Sequence, residues 1–74
     1  MDKIRQIIFY KNHFEDFYNQ QNRKVRNKIN EILYMISIIE RVPKKFLQYL
    51  VGTDSLYEIR IELGSNIFRV FCCF

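Results

Sequence analysis

Arg60 and Arg69 fall in the stretch Gly52 to Phe74, GTDSLYEIRIELGSNIFRVFCCF, whose patterning sets them beside each other. A guanidinium is planar, permanently charged and forked, so a pair of them suits a phosphate or another oxyanion. The alternation of apolar and polar residues argues for the pairing. Tyr57, Ile59, Ile61 and Leu63 make one face of a strand, and Glu58, Arg60 and Glu62 make the other. In a second strand Phe68, Val70, Cys72 and Phe74 share one parity, and Ile67, Arg69, Phe71 and Cys73 the other. A two-residue Gly64-Ser65 turn then sets Leu63 opposite Asn66, Ile61 opposite Phe68 and Arg60 opposite Arg69. A slip by one residue would drive Arg69 into the core. Like charges opposed across a sheet are destabilising. Two readings stay open: the pair holds an anion, or Glu58 and Glu62 neutralise it as a surface ladder.

Phosphodiester cleavage by an internal 2′-hydroxyl needs a base, an acid and cations for the charge developing on phosphorus. Arg60 and Arg69 supply the cations but not the base, because guanidinium keeps its protons. His13 is the only histidine, which excludes a two-histidine ribonuclease, and it reads as a surface residue in the first turn of a helix. Glu58 or Glu62 is a possible base, weakened by pairing to arginine. Arg23, Lys24, Arg26 and Lys28 crowd the first turns of a longer helix, against its dipole. They read either as a contact for phosphates or carboxylates or as a solvated helix face. Lys44 and Lys45 lead toward the hairpin and offer further backbone-phosphate contacts, or form a solvated connector. Tyr49 and Tyr57 could stack on a base, although Tyr57 shares the core parity. No glycine-rich phosphate loop, metal-ligand spacing or nucleophile triad is present, so neither a metal nor a cofactor is expected.

These residues need positioning. At 74 residues the chain is one domain, 1–74, burying only roughly 60% of its unfolded surface. Apolar residues at 49% and charged residues at 27% fit a globular fold rather than disorder. A net charge of +4, with ten of twelve cations before residue 46, favours nucleic acid or an acidic protein as partner. The four-residue apolar run near the start is too short for a signal core, and no stretch approaches the ~18 residues of a membrane span. Cys72 and Cys73 are adjacent and would point to opposite faces of a strand. Free thiols in a reducing cytoplasm are expected, without a membrane association.

Residues 4–11 read as a first strand. Asn12 with Glu15 forms a capping box opening a helix over 13–20, whose Phe14, Phe17 and Tyr18 make an aromatic stripe. After a polar break at 19–22, a helix over 23–40 carries Val25, Ile29, Ile32, Ile36 and Ile39 on one face, widened by Leu33, until Pro43 stops it. Residues 44–51 are ambiguous between a short helix and an extended connector, and 52–55 form a turn. The expected fold is α+β: an N-terminal strand, a two-helix hairpin, then an antiparallel β-hairpin packed on the helices. A sheet of only three strands would leave a hydrophobic edge at 67–74, open to a partner strand or to oligomers. Further strands beyond Phe74, lost or borrowed, are the expectation.

With this element order, Leu50-Val51-Gly52-Thr53 leading into Leu56-Tyr57-Glu58-Ile59-Arg60, followed by Gly64-Ser65-Asn66-Ile67-Phe68-Arg69-Val70, resembles the RelE/HigB superfamily of bacterial toxins. The phage-derived branch of HigB-type toxins is the nearest likeness. It covers nearly the whole chain in element order and about 25 residues as motif. The resemblance implies a RelE-like fold, a small, mostly antiparallel sheet with two helices on one face. It also implies a ribosome-associated endoribonuclease that cleaves mRNA and is silenced by a cognate antitoxin. Arg60 matches a basic position on the RNA-facing strand, and Arg69 the phosphate-contacting arginine. Glu58 and Glu62 depart from relatives richer in cations there. Members also continue into a further strand and a C-terminal segment bearing acid/base or stacking residues. The alternative is therefore a truncated, non-catalytic remnant or binding module that engages antitoxin or RNA without cleaving.

Overall fold

The computed structural model describes residues 3–10 and 13–74. The hairpin forms as its alternation requires. Strands β3 (Tyr57–Leu63) and β4 (Asn66–Cys73) pair antiparallel with Leu63 opposite Asn66, Ile61 opposite Phe68 and Arg60 opposite Arg69. Gly64 takes a φ of 64°, the left-handed value that a type II′ turn reserves for glycine at its first central position. Ile59, Ile61 and Cys72 are fully buried on the inner face.

Against that face lies helix α2 (Arg23–Ile38), which contributes Ile29, Ile32 and Ile36 to the core. Its start is a cap that the polar break concealed: the Asn22 side chain accepts the Val25 N–H at 2.9 Å. The preceding helix α1 (His13–Asn19) buries no residue fully. Phe14, Phe17 and Tyr18 are half-buried against the core, and the Phe17 ring lies 4.5 Å from that of Phe68. The capping box assigned to Asn12 lies outside the described residues.

Three expectations are corrected. The long helix stops at Ile38, short of Glu40 and well before Pro43; Ile39 is already extended, its N–H on the Met35 carbonyl, and is exposed. The cause is tertiary. The N–H groups of Ile4 and Arg5 both donate to the Ser37 carbonyl, while the Arg5 guanidinium donates to the carbonyls of Ile36, Ile39 and Glu40. A chain crossing the helix end and a cation at its negative pole take up the carbonyls that another turn would have used. The same crossing shortens the first strand. Expected over 4–11, β1 spans only Ile8–Phe9, because residues 4 and 5 serve the helix instead of the sheet.

The third correction concerns strand number. Leu47–Tyr49 forms β2, which pairs with β3, so the sheet has four strands in the order β1-β4-β3-β2, all antiparallel. The ambiguous connector is therefore a turn at 43–46, held by the Phe46 and Leu47 N–H groups on the Pro43 carbonyl, followed by a strand. β4 is an inner strand at Cys72 and Cys73, where β1 covers it; from Asn66 to Val70 its edge away from β3 is uncovered by any described strand. The architecture is α+β, two helices and a four-stranded antiparallel sheet. Among the described residues no helix is long and apolar enough to cross a membrane.

Candidate functional site

The inner face of the sheet is consumed by the core, so the polar parity of β3 and β4 faces outward. Backbone direction brings Arg60 and Arg69 closest there. The Arg60 N–H donates to Phe46 on the β2 side, and the Phe71 carbonyl accepts from Tyr10 on the β1 side. By parity, Arg60 and Arg69 turn their backbone groups away from each other and form a non-hydrogen-bonded pair, the kind whose side chains approach most closely. Glu58 reconciles the two charges. Its Oε1 lies 3.8 Å from the Arg60 Nε and 3.5 Å from the Arg69 Nε. These are ion-pair separations, too long for hydrogen bonds. The Arg60 Nε is shielded from solvent and has no hydrogen-bond partner among the described residues. Such a donor costs about 1–3 kcal/mol when left unmet. Arg69 is the more open of the two, with 53% of its side chain exposed. Glu62 has no ion pair among the described residues. The ladder reading therefore holds for Glu58 and not for Glu62.

Each arginine opens onto a separate hollow. Arg60 joins Lys28, Lys45, Glu62, Ile32 and Phe46 around a small recess of about 120 Å³ at the β3 edge. Three cations converge there against one carboxylate. Arg69 joins His13 and Phe71, with Phe14, Phe17 and Phe68 behind them, around a larger recess of about 430 Å³ at the β4 edge. The outcome is a strip two strands wide, a cationic recess on one side and an aromatic one on the other.

The other expected contacts divide. Lys45 belongs to the strip, its Nζ 5.7 Å from the Phe46 ring centre. Lys44 and Arg23 are exposed but line neither recess. Lys24 lines a different hollow, beside Leu63 and Gly64 at the hairpin turn. Arg26 is held at home: its Nε donates to the Gln21 carbonyl at 2.9 Å, and its guanidinium lies 6.0 Å from the Tyr18 ring centre. The basic cluster is thus split, and only Lys28 reaches Arg60. Tyr49 is half-exposed and packs edge-on against Tyr57, which also contacts Phe74; this aromatic group lies apart from both recesses.

His13 and Phe71 are what sequence reasoning passed over. His13 is exposed, as expected, yet it borders the same recess as Arg69. Phe71 shares parity with Arg69, a signal that was available. Cys72 and Cys73 are both free. Burial, with the neighbouring Cys73 adding to it, pushes the Cys72 thiol up from 9.0 to about 12. Among the described residues no cluster of three or more His, Cys, Asp or Glu side chains is disposed to hold a metal ion. The chain matches no protein-family model, no curated protein and no solved structure.

Proposed function

We propose that this chain is an RNA-binding toxin of the RelE/HigB type. It would be a metal-independent endoribonuclease acting on mRNA at the ribosome in the cytoplasm, and silenced by a cognate antitoxin. The observation that carries the reading is the opposition of Arg60 and Arg69 on the solvent face, extended by Lys45 and Lys28. Two guanidinium groups on facing strands, one with an unmet N–H, suit the oxygens of a phosphodiester and the extra charge of its transition state. The helix pair behind an antiparallel sheet agrees with the fold expected from the resemblance. His13, beside Arg69 at the aromatic recess, is the natural candidate for proton transfer, since an imidazole can both donate and accept a proton. Unpaired cysteines agree with a reducing compartment.

A second reading is favoured by Glu58. A carboxylate within 4 Å of both guanidinium groups weakens the grip on a phosphate, which suits a module that binds RNA or antitoxin without cleaving. Expression of the full chain in a bacterial host lacking any antitoxin separates the two. Growth arrest with newly cleaved messages supports the nuclease. Unimpaired growth, with RNA binding by the purified chain, supports the binding module. Unimpaired growth without RNA binding refutes the nuclease and the RNA-binding form of the module.

A further inference from the structure

The recess beside Arg69 lies just past the described end of β1. Among the described residues, the last rung on this side is the Tyr10 N–H on the Phe71 carbonyl, at 2.9 Å. From Val70 to Asn66 no described strand pairs with β4 on the side away from β3. Residues of helix α1 border that edge, the Phe17 ring 4.5 Å from that of Phe68, around a space of about 430 Å³. Its lining is lopsided in chemistry. Tyr10, Phe14, Phe17, Phe68 and Phe71 supply aromatic surface, and His13, Arg69 and the Tyr10 hydroxyl supply polar groups. A mostly aromatic hollow of this size with few polar groups falls within the ~300–1,000 Å³ range of ligand sites.

Its position narrows the ligand further. Arg69 belongs both to this recess and to the cation pair. Phe71 follows Arg69 on the same face of β4, ~7 Å along the strand, and is 41% exposed. An aromatic surface beside a cationic track is how single-strand binders hold a base while they hold its backbone. We infer that the recess is a nucleobase subsite, which receives an unpaired base of single-stranded RNA next to the phosphate held by Arg69. The inference rests on the RNA-binding reading above. Stacking on Phe71 and the aromatic wall tolerates any base, because every base has a π-face. His13 borders the recess, and an imidazole can both donate to and accept from a base edge. A duplex keeps its bases stacked and paired, and so cannot fill the site.

The test uses a fluorescently labelled single-stranded RNA of about eight nucleotides, within the span that such surfaces cover. A fully abasic strand of the same length keeps every phosphate and lacks every base. Anisotropy titrations of the full chain should show the abasic strand binding about 5- to 100-fold more weakly, the scale of one stacked base. Phe71→Ala should weaken the intact strand comparably and leave the abasic strand unchanged. Equal affinity for both strands, lost in the Arg60→Gln/Arg69→Gln variant, overturns the subsite and leaves the phosphate grip standing. Binding of the matching RNA duplex as tightly as the single strand also overturns it. Absence of RNA binding, or binding indifferent to the arginine substitutions, removes the functional reading and the subsite with it. Should Phe71→Ala fail to fold, the two strands on the unaltered chain decide the matter alone.

Discussion

Glu58→Gln should make the protein less stable and a tighter RNA binder at once. Both arginine Nε atoms lie within 4 Å of the Glu58 Oε1, so they stand about 7 Å apart at most. Two unit charges at that distance repel by ~0.6 kcal/mol in water and by ~2 kcal/mol at the effective dielectric of a protein surface. Exposure of the Arg69 side chain, at 53%, keeps the true figure toward the lower end. The variant loses two ion pairs worth ~0.2–1 kcal/mol each and leaves that repulsion uncompensated. A total loss of about 1–2 kcal/mol in urea unfolding is expected. RNA phosphate should recover the interaction that the carboxylate gave up, so affinity for a single-stranded oligonucleotide should rise about 5- to 30-fold. Both effects should shrink as salt is raised. A folded variant with unchanged or weaker RNA affinity would refute the reasoning, because Glu58 would then not be competing with phosphate.

Three further outcomes follow from the fold and the thiols. Arg5→Gln removes the cation that takes the carbonyls of Ile36, Ile39 and Glu40, and should cost about 1.5–3 kcal/mol in chemical denaturation; a loss below about 0.5 kcal/mol would contradict the capping role. Gly64→Ala meets no atom within 4 Å of the new Cβ, so its penalty is conformational, from a φ of 64°, and should be ~1–2 kcal/mol; Gly64→Asn should lose less, as measured by thermal unfolding. The Cys72 thiol is raised by burial from 9.0 to about 12, so the folded chain holds that proton after the unfolded chain has released it. That contribution to stability is full below pH 9 and is lost as pH rises toward 12. Iodoacetamide at pH 8 should spare Cys72 in the native protein and modify it only after unfolding, read by peptide mass spectrometry.

The hairpin was legible because its information is local. Period-two alternation over Tyr57–Leu63 and Asn66–Cys73, with Gly64 at the turn, admits one register, and that register alone opposes Arg60 to Arg69. The core face of α2 was legible for the same reason at helical period, through Ile29, Ile32 and Ile36. What escaped is set by distant contacts. Nothing in the neighbourhood of Ile38 says that Arg5 will cap it, and a three-residue strand such as Leu47–Tyr49 is too short to show a period. Lys28 joins Arg60 only through the way α2 crosses the sheet, one turn before Ile32 in the same recess. His13 shares a recess with Arg69 only through the tertiary placement of α1, which no local pattern encodes.

The central claim, that Arg60 and Arg69 together hold RNA phosphate, is tested most directly by the salt dependence of RNA binding. For single strands, log affinity falls with log salt by about 0.7 per neutralised phosphate. The Arg60→Gln/Arg69→Gln variant, folded by circular dichroism, should therefore bind more weakly and show a slope shallower by about 0.7, the share of the one phosphate the pair holds. A variant with the slope and affinity of the unaltered chain would contradict the account.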